Sequence, residues 1–136
     1  ALAEAVAAAD LVVGAVLLPG RRAPAVVTEA MVRRMQPGTV IVDISIDQGG
    51  CVETMAPRGY DDPAYLRHGV WHLGVTNLPG AVPRTASQAL SAALLPHVAA
   101  LARTPSGEEP ASLASALSIR GGRLVDDRVR ADPAPA

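Results

Sequence analysis

The stretch TVIVDISIDQGGC, residues 39–51, decides the fold class of this chain. It begins with an apolar, β-branched run over residues 39–44, which is typical of a strand buried on both faces. The run ends at Asp43 and Ile44, and a second carboxylate, Asp47, follows just before Gly49-Gly50. Carboxylates and glycines at the end of a buried strand indicate the carboxyl edge of a parallel sheet, where open α/β sheets bind their ligands.

Two further apolar runs flank this stretch, DLVVGAV at residues 10–16 and GVWHLGV at residues 69–75. Between the first two runs, Thr28 is a suitable N-cap for a helix over residues 29–35. Strand, helix and strand joined by short loops predict a βαβ unit with a right-handed crossover. The predicted fold class is therefore α/β, with a parallel sheet.

The loops that follow the three predicted strands cover residues 16–24, 44–57 and 75–84. Because the carboxyl ends of parallel strands share one edge of the sheet, we expect these loops to converge on one site.

Other segments complete the predicted layout. The chain starts with the last turns of a helix over residues 2–9, and irregular structure extends from the second strand to about residue 68. A long helix is predicted over residues 86–103, with a kink at Pro96. From residue 104 a linker-like stretch leads to a short helix and a β-like pair around Gly121-Gly122.

Composition excludes several functional classes. The chain has 136 residues, 49% of them hydrophobic, and a net charge of -1, which is the composition of one ordinary globular domain. Nucleic-acid binding would require a basic stripe, and membrane insertion would require an apolar run of roughly 18 residues; neither occurs. Cys51 is the single cysteine, so no disulfide forms within the chain and a cytoplasmic setting is favoured.

The two carboxylates of the opening stretch have different predicted roles. Asp43 alternates with the strand residues so that it shares a face with Ile41, and a structural carboxylate bound to backbone N–H groups or a nearby Arg explains it best. Asp47 lies past the strand, beside glycines that allow a ligand to approach the backbone closely. The residues alone leave Asp47 open between loop structure and function.

Several familiar motifs are absent from the sequence. It contains no P-loop, no Ser-His-Asp pattern and no G-x-G-x-x-G, although a complete dinucleotide domain needs a phosphate loop. His68, His72 and His97 lack the spacing of metal ligands, so no metal site is predicted. His72 and His97 are interpreted as packed or surface groups.

Three separated blocks together resemble one family. They are AAADLVVGAVLLPGRRAP (7–24), PGTVIVDISIDQGGCVE (37–53) and TNLPGAVPRTASQAL (76–90). In this order they are similar to the alanine dehydrogenase and nicotinamide nucleotide transhydrogenase alpha-subunit family. The resemblance runs from residue 1 to about residue 103 and continues weakly beyond.

The resemblance implies a two-domain layout. Residues 1–82 are expected to be the C-terminal half of an NAD-binding Rossmann domain, the second half of a doubly wound parallel sheet. Residues 83–136 are expected to contain a long connecting helix that returns to the substrate domain, together with the C-terminal part of that domain. The phosphate loop and the groups that bind the substrate are expected in a preceding part of a longer protein.

The resemblance also implies site residues where the blocks match. Asp47 matches the catalytic carboxylate of alanine dehydrogenases. The implied cofactor-binding positions are Val16, Leu17, Ile44, Ser45, Ile46, Asp47, Val75, Thr76, Asn77 and Leu78. One departure is Ala56, where alanine dehydrogenases commonly carry Arg, with Arg58 two positions on. A second is TNLP at 76–79, which leans toward the TDLP of transhydrogenases.

The implied function is NAD-dependent oxidative deamination of L-alanine to pyruvate and ammonia, by a cytoplasmic homohexamer with no nucleic-acid or membrane partner. One alternative is the NAD(H)-binding alpha subunit of a proton-translocating transhydrogenase. That branch usually has Glu before the glycine pair, so Asp47 favours the dehydrogenase. A third reading, an inactive truncated remnant, also stays open, and the isolated chain is expected to lack activity.

Overall fold

The computed structural model describes residues 1–105, 108 and 110–130. The chain divides into two compact units, Ala1–Leu78 and Pro79–Ala136. All of the predicted site residues belong to the first unit.

The first unit is built on a four-stranded sheet of β1 (Leu11–Gly14), β2 (Val40–Asp43), β3 (Ala64–Arg67) and β4 (Val70–Leu73). The strand order is β1-β2-β4-β3, and β1, β2 and β4 run parallel. The α/β class and the parallel pairing of the three predicted strands are therefore confirmed.

The fourth strand corrects the predicted layout. β3 lies inside the segment that the sequence assigned to irregular structure, and it pairs antiparallel with β4. His68 and Gly69 connect the two strands, and both have positive φ, 54° and 77°. A two-residue connection with positive φ at both positions is the geometry that matches the twist of a hairpin. The sheet is thus mixed, with an antiparallel strand at one edge.

Helices α1 (Leu2–Ala8) and α2 (Glu29–Val32) contribute to the core of this unit. Thr28 caps α2 as predicted, since its Oγ1 accepts the Met31 N–H at 3.3 Å. The helix ends at Val32, earlier than the predicted residue 35, and its last turn loosens before Pro37. The core joins side chains from both helices and the sheet, namely Val6, Val32, Ile41 and Val70.

The prediction that the strands are buried on both faces is not met by β1 and β4 in this chain. Ile41 is fully buried, whereas Leu11, Val13 and Trp71 are exposed. The helices of the first unit cover one face of the sheet through the core residues, and an apolar run alone does not specify how many faces are covered.

The second unit contains α3 (Pro83–Arg103), which stays helical through Pro96. It also contains a 3₁₀ segment (Ala111–Ala116), the two-residue strands β5 (Ile119–Arg120) and β6 (Arg123–Leu124), and α4 (Asp127–Arg130). The antiparallel β5–β6 pair confirms the predicted pair around Gly121-Gly122. Across the described ranges, no helix combines the length and apolar character needed to cross a bilayer.

Candidate functional site at the carboxyl edge of the sheet

The loops after β1, β2 and β4 are joined by hydrogen bonds. The Val16 N–H donates to Ser45 Oγ at 2.7 Å, which connects the first loop to the second. The Asn77 N–H lies 3.1 and 3.0 Å from the two carboxylate oxygens of Asp47, which connects the second loop to the third. The predicted convergence of the three loops is therefore confirmed.

Asp43 stabilises the second loop by accepting hydrogen bonds from its backbone. Its side chain is fully buried, Oδ1 accepts the Ser45 N–H at 2.9 Å, and Oδ2 accepts the Cys51 N–H at 2.7 Å. The Cys51 Sγ lies 3.4 Å from Oδ1 as a further, weak donor. Burial raises the pKa of the Cys51 thiol, so it stays protonated and able to donate. The expectation that Asp43 binds backbone donors is confirmed.

The loop that Asp43 holds depends on two glycines with left-handed backbone. Gly49 has φ 98° and Gly50 has φ 78°. A Cβ on Gly50 would lie 3.1 Å from the Asp43 Oδ2 atom. The loop therefore needs glycine at this position both for its φ value and for its contact with the buried carboxylate.

Asp47 lies at the surface, in the 3₁₀ segment Ile44–Gln48 that follows β2 directly. Asn77, its partner, has an uncommon positive φ of 52°. An exposed carboxylate fixed at the carboxyl edge of a parallel sheet can stabilise positive charge on a bound molecule. Thr76 and Leu78 flank Asn77 in the same turn and are half-buried.

A groove of about 210 Å³ opens between the loops after β1 and β2. Four predicted cofactor-binding residues line it, together with Ala15 and Gln48: Val16, Leu17, Ile44 and Ser45. Leu17 is 65% exposed and Ile44 52% exposed, so the groove has apolar walls that a flat ring could cover.

Besides Ser45, which is 5% exposed and lines the groove, two of the predicted cofactor-binding residues have buried side chains. Ile46 and Val75 are 5% and 3% exposed, respectively. Their side chains belong to the interior of the unit, so a ligand at this edge would meet them only through the backbone.

Sequence reasoning missed Tyr60. Its hydroxyl lies 2.7 Å from the Asn77 carbonyl oxygen and 3.2 Å from that of Leu78, so it donates into the turn that also binds Asp47. No local sequence pattern predicts this contact. The only signal in the sequence is that Tyr60 is an aromatic residue in an otherwise polar loop.

The Arg58 side chain has partners within the first unit. Its guanidinium donates to Asp62 at 2.9 Å and lies 4.6 Å from the centre of the Tyr65 ring. The Arg58 side chain is thereby bound by Asp62 and by the ring of Tyr65 in β3.

His72 is a packed core residue, as predicted. Its ring is fully buried, with Nε2 2.7 Å from Thr54 Oγ1 and Nδ1 2.9 Å from the Val70 carbonyl oxygen. The ring also stacks on Tyr65 at 5.1 Å. Burial lowers the pKa of His72, which favours the neutral ring. Within the described residues, no group of His, Cys, Asp and Glu side chains could hold a metal ion.

The chain is similar in sequence to known proteins. The family model described as "Alanine dehydrogenase/PNT, C-terminal domain" matches residues 1–127. An alanine dehydrogenase of Halomonas elongata is 54% identical over 102 residues, which are 75% of this chain and 28% of that protein.

Solved structures that resemble this chain include the following two. An L-alanine dehydrogenase superposes with a TM-score of 0.77 at 48% identity, over 96% of this chain and 37% of that one. A transhydrogenase from Sinorhizobium meliloti superposes with a TM-score of 0.58 at 34% identity, over 64% of this chain and 25% of that one. The chain thus spans between a quarter and about two fifths of the length of these proteins.

Proposed function

The chain belongs to the alanine dehydrogenase/PNT C-terminal domain family, and we propose that it is part of an NAD-dependent L-alanine dehydrogenase. In this proposal residues 1–82 are the C-terminal half of the NAD-binding domain. Residues 83–136 connect to, and complete, the substrate domain. The reaction converts L-alanine, NAD⁺ and water to pyruvate, ammonium, NADH and a proton.

The observation that carries this proposal is the position of Asp47. Its exposed carboxylate follows β2 directly and is bound to the turn after β4, so it lies at the edge where a parallel sheet binds ligands. Asp47 precedes the glycine pair, where the transhydrogenase branch of the family usually has Glu. This difference favours the dehydrogenase branch.

The residues present fit the NAD cofactor on which the family's dehydrogenases depend. The groove walls, Leu17 and Ile44, are apolar and exposed, as contact with a flat ring requires. Val16 and Ser45 complete this wall, while residues 75–78 provide backbone groups beside Asp47. The cofactor supplies the acceptor for the hydride when it is bound.

The side chains of this unit supply orientation and charge. As hydride leaves the amino-bearing carbon of alanine, positive charge develops on that carbon and its nitrogen. The Asp47 carboxylate stabilises this charge and orients the water that attacks the carbon. Asp43 keeps the loop that carries Asp47 in place through the Ser45 and Cys51 N–H groups.

A second candidate function is the NAD(H)-binding subunit of a transhydrogenase. The superposition on the Sinorhizobium meliloti transhydrogenase and the TNLP sequence at 76–79 favour it. The dehydrogenase is preferred because the likeness to an L-alanine dehydrogenase covers more of the chain at higher identity.

An assay of the full-length gene product separates these functions. NADH formation that requires both L-alanine and NAD⁺ is expected, together with NADH oxidation in the presence of pyruvate and ammonium. Hydride transfer between nucleotides without any alanine oxidation would replace the dehydrogenase with the transhydrogenase function. Absence of both activities in a folded gene product would support the inactive remnant.

The remaining properties are proposals of the same kind. We expect a homohexamer that acts on small molecules in the cytoplasm, without a nucleic-acid or membrane partner. Light scattering of the full-length gene product tests the expected assembly.

A further inference from the structure

A short backbone pairing places Tyr60 opposite Asn77. The Arg58 N–H donates to the Gly74 carbonyl at 2.9 Å, and the Thr76 N–H donates to the Arg58 carbonyl at 3.1 Å. These bonds form an isolated parallel bridge between Arg58 and Val75. Two residues farther along each segment, this register aligns Tyr60 with Asn77.

Asn77 is held from both sides. Its N–H is bound by the Asp47 carboxylate, and its carbonyl oxygen accepts the Tyr60 hydroxyl at 2.7 Å. The same hydroxyl lies 3.2 Å from the Leu78 carbonyl oxygen, so two neighbouring acceptors are within its reach. The two side chains, Asp47 and Tyr60, thus bind opposite sides of one turn through its backbone groups.

This arrangement compensates for an unfavourable backbone conformation. Asn77 has φ 52°, and left-handed backbone is unfavourable for a non-glycine residue, with Asn among the residues that tolerate it best. If Asn77 relaxed to negative φ, rotation about its N–Cα bond would turn its N–H and its carbonyl group relative to each other, which would break the contact with Asp47 or the contact with Tyr60. A contact on the carbonyl side of the same residue opposes that rotation.

We propose that Tyr60 is a positioning residue for the carboxylate of Asp47. By binding the carbonyl groups of Asn77 and Leu78, it keeps the Asn77 N–H directed at Asp47 and so fixes the orientation of the carboxylate. This inference rests on the proposed function, in which Asp47 stabilises charge during alanine oxidation. Tyr60 itself is not required to touch the substrate or the cofactor.

A double-mutant cycle in the full-length gene product tests the proposal. Tyr60→Phe removes one hydroxyl and should lower kcat for alanine oxidation by about 3- to 10-fold, the size of one lost hydrogen bond, with KM for L-alanine little changed. In an Asp47→Asn background, the same substitution should have little further effect, because the carboxylate that it orients is gone.

Tyr65→Phe is the matched control, since the Tyr65 hydroxyl donates to the Thr54 carbonyl at 2.7 Å and has no contact with Asn77. Its effect on kcat should be the same with Asp47 and with Asn at that position. An effect of Tyr60→Phe that persists fully in the Asp47→Asn background would assign Tyr60 a purely structural role and overturn the proposal.

Amide hydrogen exchange at Asn77 gives a readout that does not depend on activity. Tyr60→Phe should accelerate exchange of this amide about 3- to 10-fold, and Tyr65→Phe should leave it unchanged. Unchanged exchange in Tyr60→Phe would overturn the positioning role even if alanine is oxidised. If Tyr60→Phe accelerates exchange but the wild-type gene product oxidises no alanine, the contact would be supported and the proposed function refuted instead.

Discussion

The buried carboxylate of Asp43 accepts the backbone N–H of Cys51 at 2.7 Å, across eight residues of chain. Its other oxygen accepts the Ser45 N–H, so one side chain holds both ends of the loop that carries Asp47. The two aspartates of the opening stretch therefore have separable tasks, since one maintains the loop and the other is displayed by it.

Asp43→Asn should lower stability more than turnover. The substituted amide keeps one acceptor oxygen, and its NH₂ group faces a backbone donor, which leaves a buried N–H without a partner. We expect a loss of about 1–3 kcal/mol in the free energy of unfolding. Urea denaturation of the full-length gene product measures it, and an unchanged unfolding midpoint would contradict this role for Asp43.

Asp47→Asn should have the opposite profile. Its side chain is exposed, so the fold should retain its melting temperature, whereas loss of one preorganised charge should reduce alanine turnover by about 100- to 1000-fold. Steady-state kinetics and a thermal melt on the same preparation test both parts. Near-normal turnover would show that Asp47 is not the catalytic carboxylate.

Gly50→Ala should destabilise the loop. Gly50 has φ 78°, and an added Cβ would lie 3.1 Å from the Asp43 Oδ2 atom, so we expect a cost of about 1–3 kcal/mol. Gly59→Ala is the matched control, because Gly59 has no strained φ and a Cβ there would meet no atom within 4 Å. Equal unfolding midpoints for the two variants would show that the glycine pair has no special role.

His72 should make stability depend on pH. Burial lowers its pKa below the ordinary 6.5. The unfolded chain therefore binds a proton that the folded chain does not, and stability should fall as pH decreases from about 6.5 toward the folded-state pKa. His72→Gln cannot titrate there, so the stability difference from wild type should be largest above about pH 6.5 and shrink on acidification. The free energy of unfolding should be measured for wild type and His72→Gln over a pH range of about one unit or more on each side of 6.5. Parallel curves for the two proteins would contradict this assignment.

The isolated chain should bind NAD weakly. Its 136 residues contain no G-x-G-x-x-G phosphate loop, and the apolar groove alone must offset the ordering cost of binding. Calorimetric titration should show no saturable binding below the millimolar range. Micromolar affinity would mean that this chain contains its own pyrophosphate site.

Much of the first unit was predictable because its signals are local. The apolar runs at 10–16, 39–44 and 69–75 contain the parallel strands, and alternation along β2 placed Asp43 on the face of Ile41. β3 was not predictable in the same way, because its four residues carry no strong pattern and are defined by pairing with β4.

The sequence by itself determined the α/β class, the positions of β1, β2 and β4, the Thr28 cap and the glycine pair after Asp43. These features depend on side-chain periodicity and on backbone conformations open to particular residues. The tertiary structure alone decided that the Asp47 carboxylate meets the Asn77 N–H, 30 residues away, and that Tyr60 binds the other side of the same turn. Such contacts depend on strand order and on register between segments, which short-range patterns in a chain do not encode.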